Sequence, residues 1–140
     1  MAALHWLERA FGFETVLLLT DDAGRVGHAE MSFVGCNIGV GGEWELAGGI
    51  KMRNPQTADV CTQFMWVALP EGLDEHYARA RGAGARIIQA PEDQFYGART
   101  YRALEPEGHV WCFRQDMREV SAETMTAITG LKVRNSLKEA

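Results

Sequence analysis

The stretch EPEGHVWCFRQ, residues 105–115, puts a thiol and a guanidinium on one face of an apolar strand. Side chains alternate along a strand, so Val110, Cys112 and Arg114 share a face while Trp111 and Phe113 share the other. HAEMSF, beginning at His28, sorts the same way. Ala29, Met31 and Phe33 form an apolar face suited to packing beneath a helix, which leaves His28, Glu30 and Ser32 opposite. An imidazole and a carboxylate two residues apart offer acid/base chemistry. Arg114 could hold a carboxylate or phosphonate through two parallel hydrogen bonds. Plainer roles stand beside these: His28 and Glu30 could pair with Arg114 across the sheet, and Cys112 could line a cavity as free cysteines commonly do.

Composition narrows the chemistry. The chain has 140 residues, 46% hydrophobic and 24% charged, with a net charge of −5. That describes one globular domain. It argues against nucleic acid, whose binders concentrate basic residues on one face. Arg79, Arg81 and Arg86 cluster, but Glu71, Asp74 and Glu75 lie close by, so a solvated helix face is expected there. No run approaches 18 apolar residues and the first dozen lack a basic leader, so neither a membrane span nor a signal peptide is expected. Cys36, Cys61 and Cys112 are widely spaced and form no C-x-x-C pair, which suits reduced thiols in the cytoplasm. No phosphate-binding loop, nucleophile elbow or H-E-x-x-H motif is present.

The elements that would position these residues occur twice. HWLERAFGFE from His5 and HYARARGAGAR from His76 are short helices stopped by Gly12 and Gly84, each followed by a β-rich run, TVLLL or RIIQA. HAEMSFVGCNIGV from His28 then pairs with YRALEPEGHVWCF from Tyr101. The helices stand 71 residues apart (His5 and His76) and the glycines before the last strands 73 (Gly35 and Gly108). This alignment gives Tyr101 the role of His28 and adds Arg99. The second copy also has a strand before its helix, CTQFMWVAL, residues 61–69. Module one is therefore 3–40, a glycine-rich mobile connector 41–59, module two 60–115 and a tail 116–140. In the tail, Ser121 caps a short helix stopped by Gly130, and LKVR at 131–134 is a candidate strand.

Paired βαβββ modules and an EPEG turn before the final strand resemble the vicinal oxygen chelate superfamily, the glyoxalase, bleomycin-resistance and dioxygenase group. WLERAFGFE, GHAEMSF, HYARARGAGARI and PEDQFYGARTYRALEPEGHVWCFRQ carry the resemblance. It implies an α+β fold in which paired modules, the first lacking its first strand, form a curved mixed sheet around a cavity. Helices lie on the outer faces, and a short helix follows at the C-terminus. It also implies a divalent metal on the first and last strands of each module. Those positions fall on Met65, with Gln63 beside it, on Cys112 and on Gly39. None is a usual ligand, so no metal or other cofactor is expected. A soft-metal site on Cys112 and Met65 is the disfavoured alternative, because two such ligands leave coordination incomplete.

The expected cavity is lined by His28, Glu30, Gln63, Met65, Arg99, Tyr101, Cys112 and Arg114; Phe95 and Tyr96 form an ordinary turn with Gly97 or, as the second choice, a cap at its mouth. By the same parity, Trp66 belongs to the helix-side core with Tyr77, while His5, His76 and His109 are surface or capping residues. Such a lining suits a small polar or anionic organic ligand. The favoured reading is a metal-independent binding protein. The alternatives are a lyase, isomerase or dioxygenase-like enzyme using His28 and Glu30, and a non-catalytic interaction module. A homodimer is expected, the tail covering apolar Met125, Ile128 and Leu131 at the subunit contact.

Overall fold

Helix α1 (Ala2–Phe11) buries Leu4, Leu7, Ala10 and Phe11, which recur at helical spacing on one side. Gly12 ends it with φ 78°, a conformation that suits glycine, and its N–H donates to the Glu8 carbonyl. An antiparallel meander follows: β1 (Glu14–Thr20), β2 (Val26–Phe33) and β3 (Cys36–Val40), in that spatial order. The computed structural model describes residues 1–134.

The second half repeats the plan with one strand more. Strand β6 (Phe64–Leu69) precedes α3 (Leu73–Gly82), and the meander β7 (Arg86–Asp93), β8 (Ala98–Leu104) and β9 (Val110–Asp116) follows. The sheet order is β6-β9-β8-β7, with β6 parallel to β9 and the remaining pairs antiparallel. Among the described residues nothing occupies the equivalent place beside β3. The α+β class, the paired modules and the short C-terminal helix α4 (Ala122–Thr129) are as expected, with Ser121 as its N-cap and Gly130 as its stop.

Three expectations need correction. The connector, expected only as a glycine-rich mobile link, holds a two-stranded hairpin, β4 (Trp44–Glu45) with β5 (Lys51–Met52), and a turn of helix, α2 (Pro55–Ala58). Asn54 caps α2 by accepting from the Thr57 N–H, and Pro55 suits its first turn. LKVR forms no strand, and the last six residues of the tail lie outside the described residues. The third correction concerns the layers. The main strands form separate three- and four-stranded sheets, not one continuous mixed sheet, and α1 and α3 pack on one another.

One apolar core joins the two halves. Leu4, Leu7 and Phe11 of α1, Met31 of β2, Leu73 of α3, and Tyr101 and Phe113 of β8 and β9 belong to it. Each sheet turns its helix-bearing face into this shared core, Met31 from one and Tyr101 and Phe113 from the other. The opposite face of each sheet is left open. Arg79 also serves the junction, donating to the carbonyls of Glu8 and Arg9 at 2.7 and 2.9 Å and so satisfying the end of α1. It is thus a capping residue as well as part of a charged face. No helix of the described residues is long and apolar enough to cross a membrane.

Candidate functional site

Strand register decides which residues reach an open face. On the three-stranded sheet the alternation holds as expected: Ala29 and Met31 are fully buried, and His28, Glu30 and Ser32 lie opposite. His28 and Glu30 are 3.6 Å apart and half-exposed. They pair with each other, not with Arg114. Gly39 stands directly opposite Glu30, and a β-carbon built on it would touch the His28 ring.

On the four-stranded sheet Cys112 and Arg114 lie on the open face as expected, Cys112 buried and Arg114 half-buried. Tyr101 and Arg99 do not. Tyr101 sits opposite Phe113 in the β8–β9 ladder, and both are fully buried in the core. Gly39 opposes Glu30 while Cys112 opposes Arg102, so matching Gly39 to Cys112 matches Glu30 to Arg102 and His28 to Thr100. The repeat offset at this strand is therefore 72 residues rather than 73. A slip of one residue moves every side chain to the other face. Arg99 instead bonds Asp93 at 2.7 Å and Asp74 of α3 at 3.0 Å, which raises its pKa.

The same correction applies to β6. Met65 and Val67 pack against the core with buried Leu69, which leaves Phe64, Trp66 and Ala68 on the open face. Gln63 precedes the strand and is exposed, its carbonyl accepting from the Cys61 thiol. Trp66 is not a core partner of Tyr77. It is 54% exposed, Phe64 is 53% exposed, and their rings stack with centroids 6.5 Å apart.

The arrangement on this face is specific. The Arg114 guanidinium lies 5.5 Å from the ring centres of both Trp66 and Tyr96. Its Nε donates to Asp116 at 2.7 Å. Tyr96 is positioned by a tight turn at Gly97, whose carbonyl accepts from the N–H groups of Met117 and Arg118. With φ 87° and the Arg118 carbonyl pressed against it, Gly97 leaves no room for a side chain. Opposite Arg114 on β8, Thr100 is buried and its hydroxyl accepts from the side-chain amides of Gln89 and Gln94 at 3.2 and 3.1 Å. A cleft of about 540 Å³ opens beside Arg114, lined by Val34, Ala68, Leu69, Pro70, Arg114 and Asp116. Thr100, Arg102 and Trp66 were missed from sequence. The signal that could have found them is the pairing of β8 with β9, since Phe113 must lie in the core and brings Tyr101 with it.

The donor set does not suit the divalent metal of the resemblance. Met65 faces the core, Gly39 has no side chain, and Cys112 is left as a lone thiol. Elsewhere, ligand atoms of Glu105, Glu107 and His109 lie within 4.8 Å of one another. The Glu105 carboxylate there already accepts from the N–H groups of Glu107 and His109 and meets the His109 ring at 2.7 Å, so it holds the turn before β9.

His76 is not a surface residue; it caps the end of α1 from within the core. Its Nε2 lies 2.9 Å from the Phe11 carbonyl and its Nδ1 2.6 Å from the Tyr101 hydroxyl. A carbonyl can only accept, so in the neutral ring Nε2 carries the hydrogen and Tyr101 donates to Nδ1. Burial lowers the His76 pKa from its ordinary 6.5, and nearby Arg79 pushes the same way against the Phe11 hydrogen bond. Burial raises that of the Tyr101 phenol. The pair ties the end of α1 to module two.

Comparison with known proteins agrees with this architecture. TioX from Micromonospora sp. ML1 is 29% identical, with a TM-score of 0.64 over 86% of this chain and 90% of its own. A glyoxalase/bleomycin resistance protein/dioxygenase family enzyme from Burkholderia phytofirmans PsJN shares the fold at 16% identity, with a TM-score of 0.54 over 83% and 90%. Among curated sequences, the uncharacterized proteins Mb0911c of Mycobacterium bovis and Rv0887c of Mycobacterium tuberculosis are each 38% identical over 55 residues, or 39% of this chain. The matched part spans only 36% and 32% of those relatives' lengths. The model of the Glyoxalase/Bleomycin resistance protein/Dioxygenase superfamily matches residues 1–113. The chain belongs to that superfamily.

Proposed function

We propose that this protein binds a small organic molecule without a metal, on the open face of its four-stranded sheet, as a homodimer. The observation that carries the reading is the aromatic ledge of Phe64 and Trp66, more than half exposed, with Arg114 laid across it. Each ring is only about half buried and so forfeits roughly half of the ~1.5–3 kcal/mol that full burial contributes, which a bound ligand would recover. Chain purified without chelator should carry no stoichiometric metal. A ligand at a hundred times its Kd should raise Tm by several degrees, since binding stabilises by about 2.7 kcal/mol at that excess. Trp66→Ala should remove most of that shift. One tightly held metal per chain, lost on replacing His28 or Glu30, would favour an enzyme instead.

The dimer rests on where the exposed apolar side chains lie. Leu17 and Leu19 stand opposite Glu30 and His28 on the first open face, at 41% and 53% exposure, and Phe64 and Trp66 on the second. Trp44 and Ile50 on the connector hairpin and Ile128 on α4 add to them. Exposure on this scale marks an interaction surface. A second copy that set its first open face against the other's second would enclose a cavity that one chain leaves open. Sedimentation should show a dimer for the full chain. A version ending at Arg118 should be a weaker dimer or less soluble; a monomeric full chain would overturn the assembly.

A further inference from the structure

The residue that closes the β2–β3 hairpin is the wrong type for its backbone. Val34 has φ 44°, the left-handed region, where a β-branched side chain is strained and Asn or Gly is the usual choice. Such strain persists where something else requires the side chain. Core packing does not require it, since Val34 is 42% exposed. Its position does: Val34 lines the cleft of Ala68, Leu69, Pro70, Arg114 and Asp116, and is the one wall contributed by the other sheet.

Arg114 gives the cleft its charge preference. Asp116 takes Nε and the adjacent hydrogen of Nη2, and no described residue accepts from Nη1. The outer edge of the fork is therefore left with N–H donors and no acceptor, held in plane between Trp66 and Tyr96. That edge matches the two oxygens of a carboxylate. The neighbouring Asp116 leaves room for one negative charge and disfavours a phosphate carrying two. Next to it the Trp66 and Phe64 rings offer a flat ledge, which favours an aromatic body over an aliphatic one.

We propose that this cleft takes a flat aromatic monocarboxylate, its acid group on the outer edge of Arg114, its ring on Trp66, and Val34 closing the opposite side. The proposal rests on the ligand-binding reading of the open face and names the ligand class. The test uses the full chain with three probes: 2-naphthoate, uncharged 2-naphthamide and non-aromatic cyclohexanecarboxylate. Binding is followed by calorimetry and by the indole N–H resonance of Trp66.

2-Naphthoate should bind at least about tenfold more tightly than either control, the loss expected from a missing charged hydrogen bond or a missing ring contact. Arg114→Gln and Trp66→Ala should each weaken it by about tenfold. Val34→Asn should separate strain from function: relief of strain raises Tm by about 3–5 °C, while naphthoate affinity falls several-fold. The proposal is overturned if naphthoate does not bind, if the naphthamide binds as well, or if Val34→Asn raises Tm with affinity unchanged. A non-aromatic or uncharged ligand that shifts the Trp66 resonance would sink this ligand class and leave the open face as the binding surface. If no compound of a wider metabolite panel moves that resonance, both readings fall.

Discussion

Phe11→Ala should lower stability by about 3–5 kcal/mol, the usual cost of emptying a fully buried aromatic site. Phe11 is the last residue of α1 and has no exposed surface. Its ring lies 4.9 Å from Trp6, 4.8 Å from Phe113 and 5.4 Å from Trp111, so it touches its own helix and the last strand of the other module. A cavity there would open both halves at once. Denaturant midpoints for wild type and variant measure the loss. If Phe11→Ala does not fold, Phe11→Leu keeps most of the volume and should cost about 1–2 kcal/mol. A single cooperative transition lowered by this amount is expected. Two separate transitions, with only one of them moved, would contradict a core shared by the modules.

Acid should weaken the same junction through His76. The ring is neutral in the folded protein, and its folded pKa is lowered from 6.5. Above the unfolded pKa both states carry a neutral ring and the His76 contribution is fully present. As pH falls below about 6.5 the unfolded chain takes up a proton that the folded one refuses, so stability declines until the folded pKa is passed. The slope should approach about 1.4 kcal/mol per pH unit for one proton. Unfolding midpoints between pH 7 and pH 5 isolate this window from the carboxylates, which titrate lower. His76→Asn, compared at pH 7.5, should be less stable by about 2–4 kcal/mol, because Tyr101 and the Phe11 carbonyl lose their partner in the core. An NMR titration of the His76 ring supplies an independent check: its midpoint should lie below 6.5. A midpoint above 6.5, or stability that stays flat or rises as pH falls, would show that burial does not govern this histidine.

Much of the fold was legible because local signals and burial agree. Gly12 and Gly130 stop their helices and Ser121 caps α4, each through backbone groups within a few residues. HAEMSF alternates apolar with polar, so water alone decides which face of β2 is buried, and His28 and Glu30 fall on the open one. The helical turn in the connector was missed, although Asn54 followed by Pro55 is a helix start.

Other features depended on distant partners. FMWVAL is apolar on both faces, so no alternation says whether Met65 or Trp66 turns inward; the parallel ladder decides it by setting Met65 beside Trp111 and Trp66 beside Cys112. Tyr101 was misplaced for a similar reason. A repeat counted along the chain tolerates a drift of one residue, but a strand does not, and only the pairing of Tyr101 with Phe113 removes the ambiguity. The sequence by itself determined the α+β class, the duplicated helix-and-meander plan and the buried face of β2, because each follows from local conformation or from polarity that alternates within one element. Tertiary structure alone decided which faces of β6 and β8 stay open, that α1 and α3 meet in a shared core, and that Arg114 lies between Trp66 and Tyr96. Those choices are made by side chains far apart in the chain competing for the same buried space, and no single segment encodes the outcome.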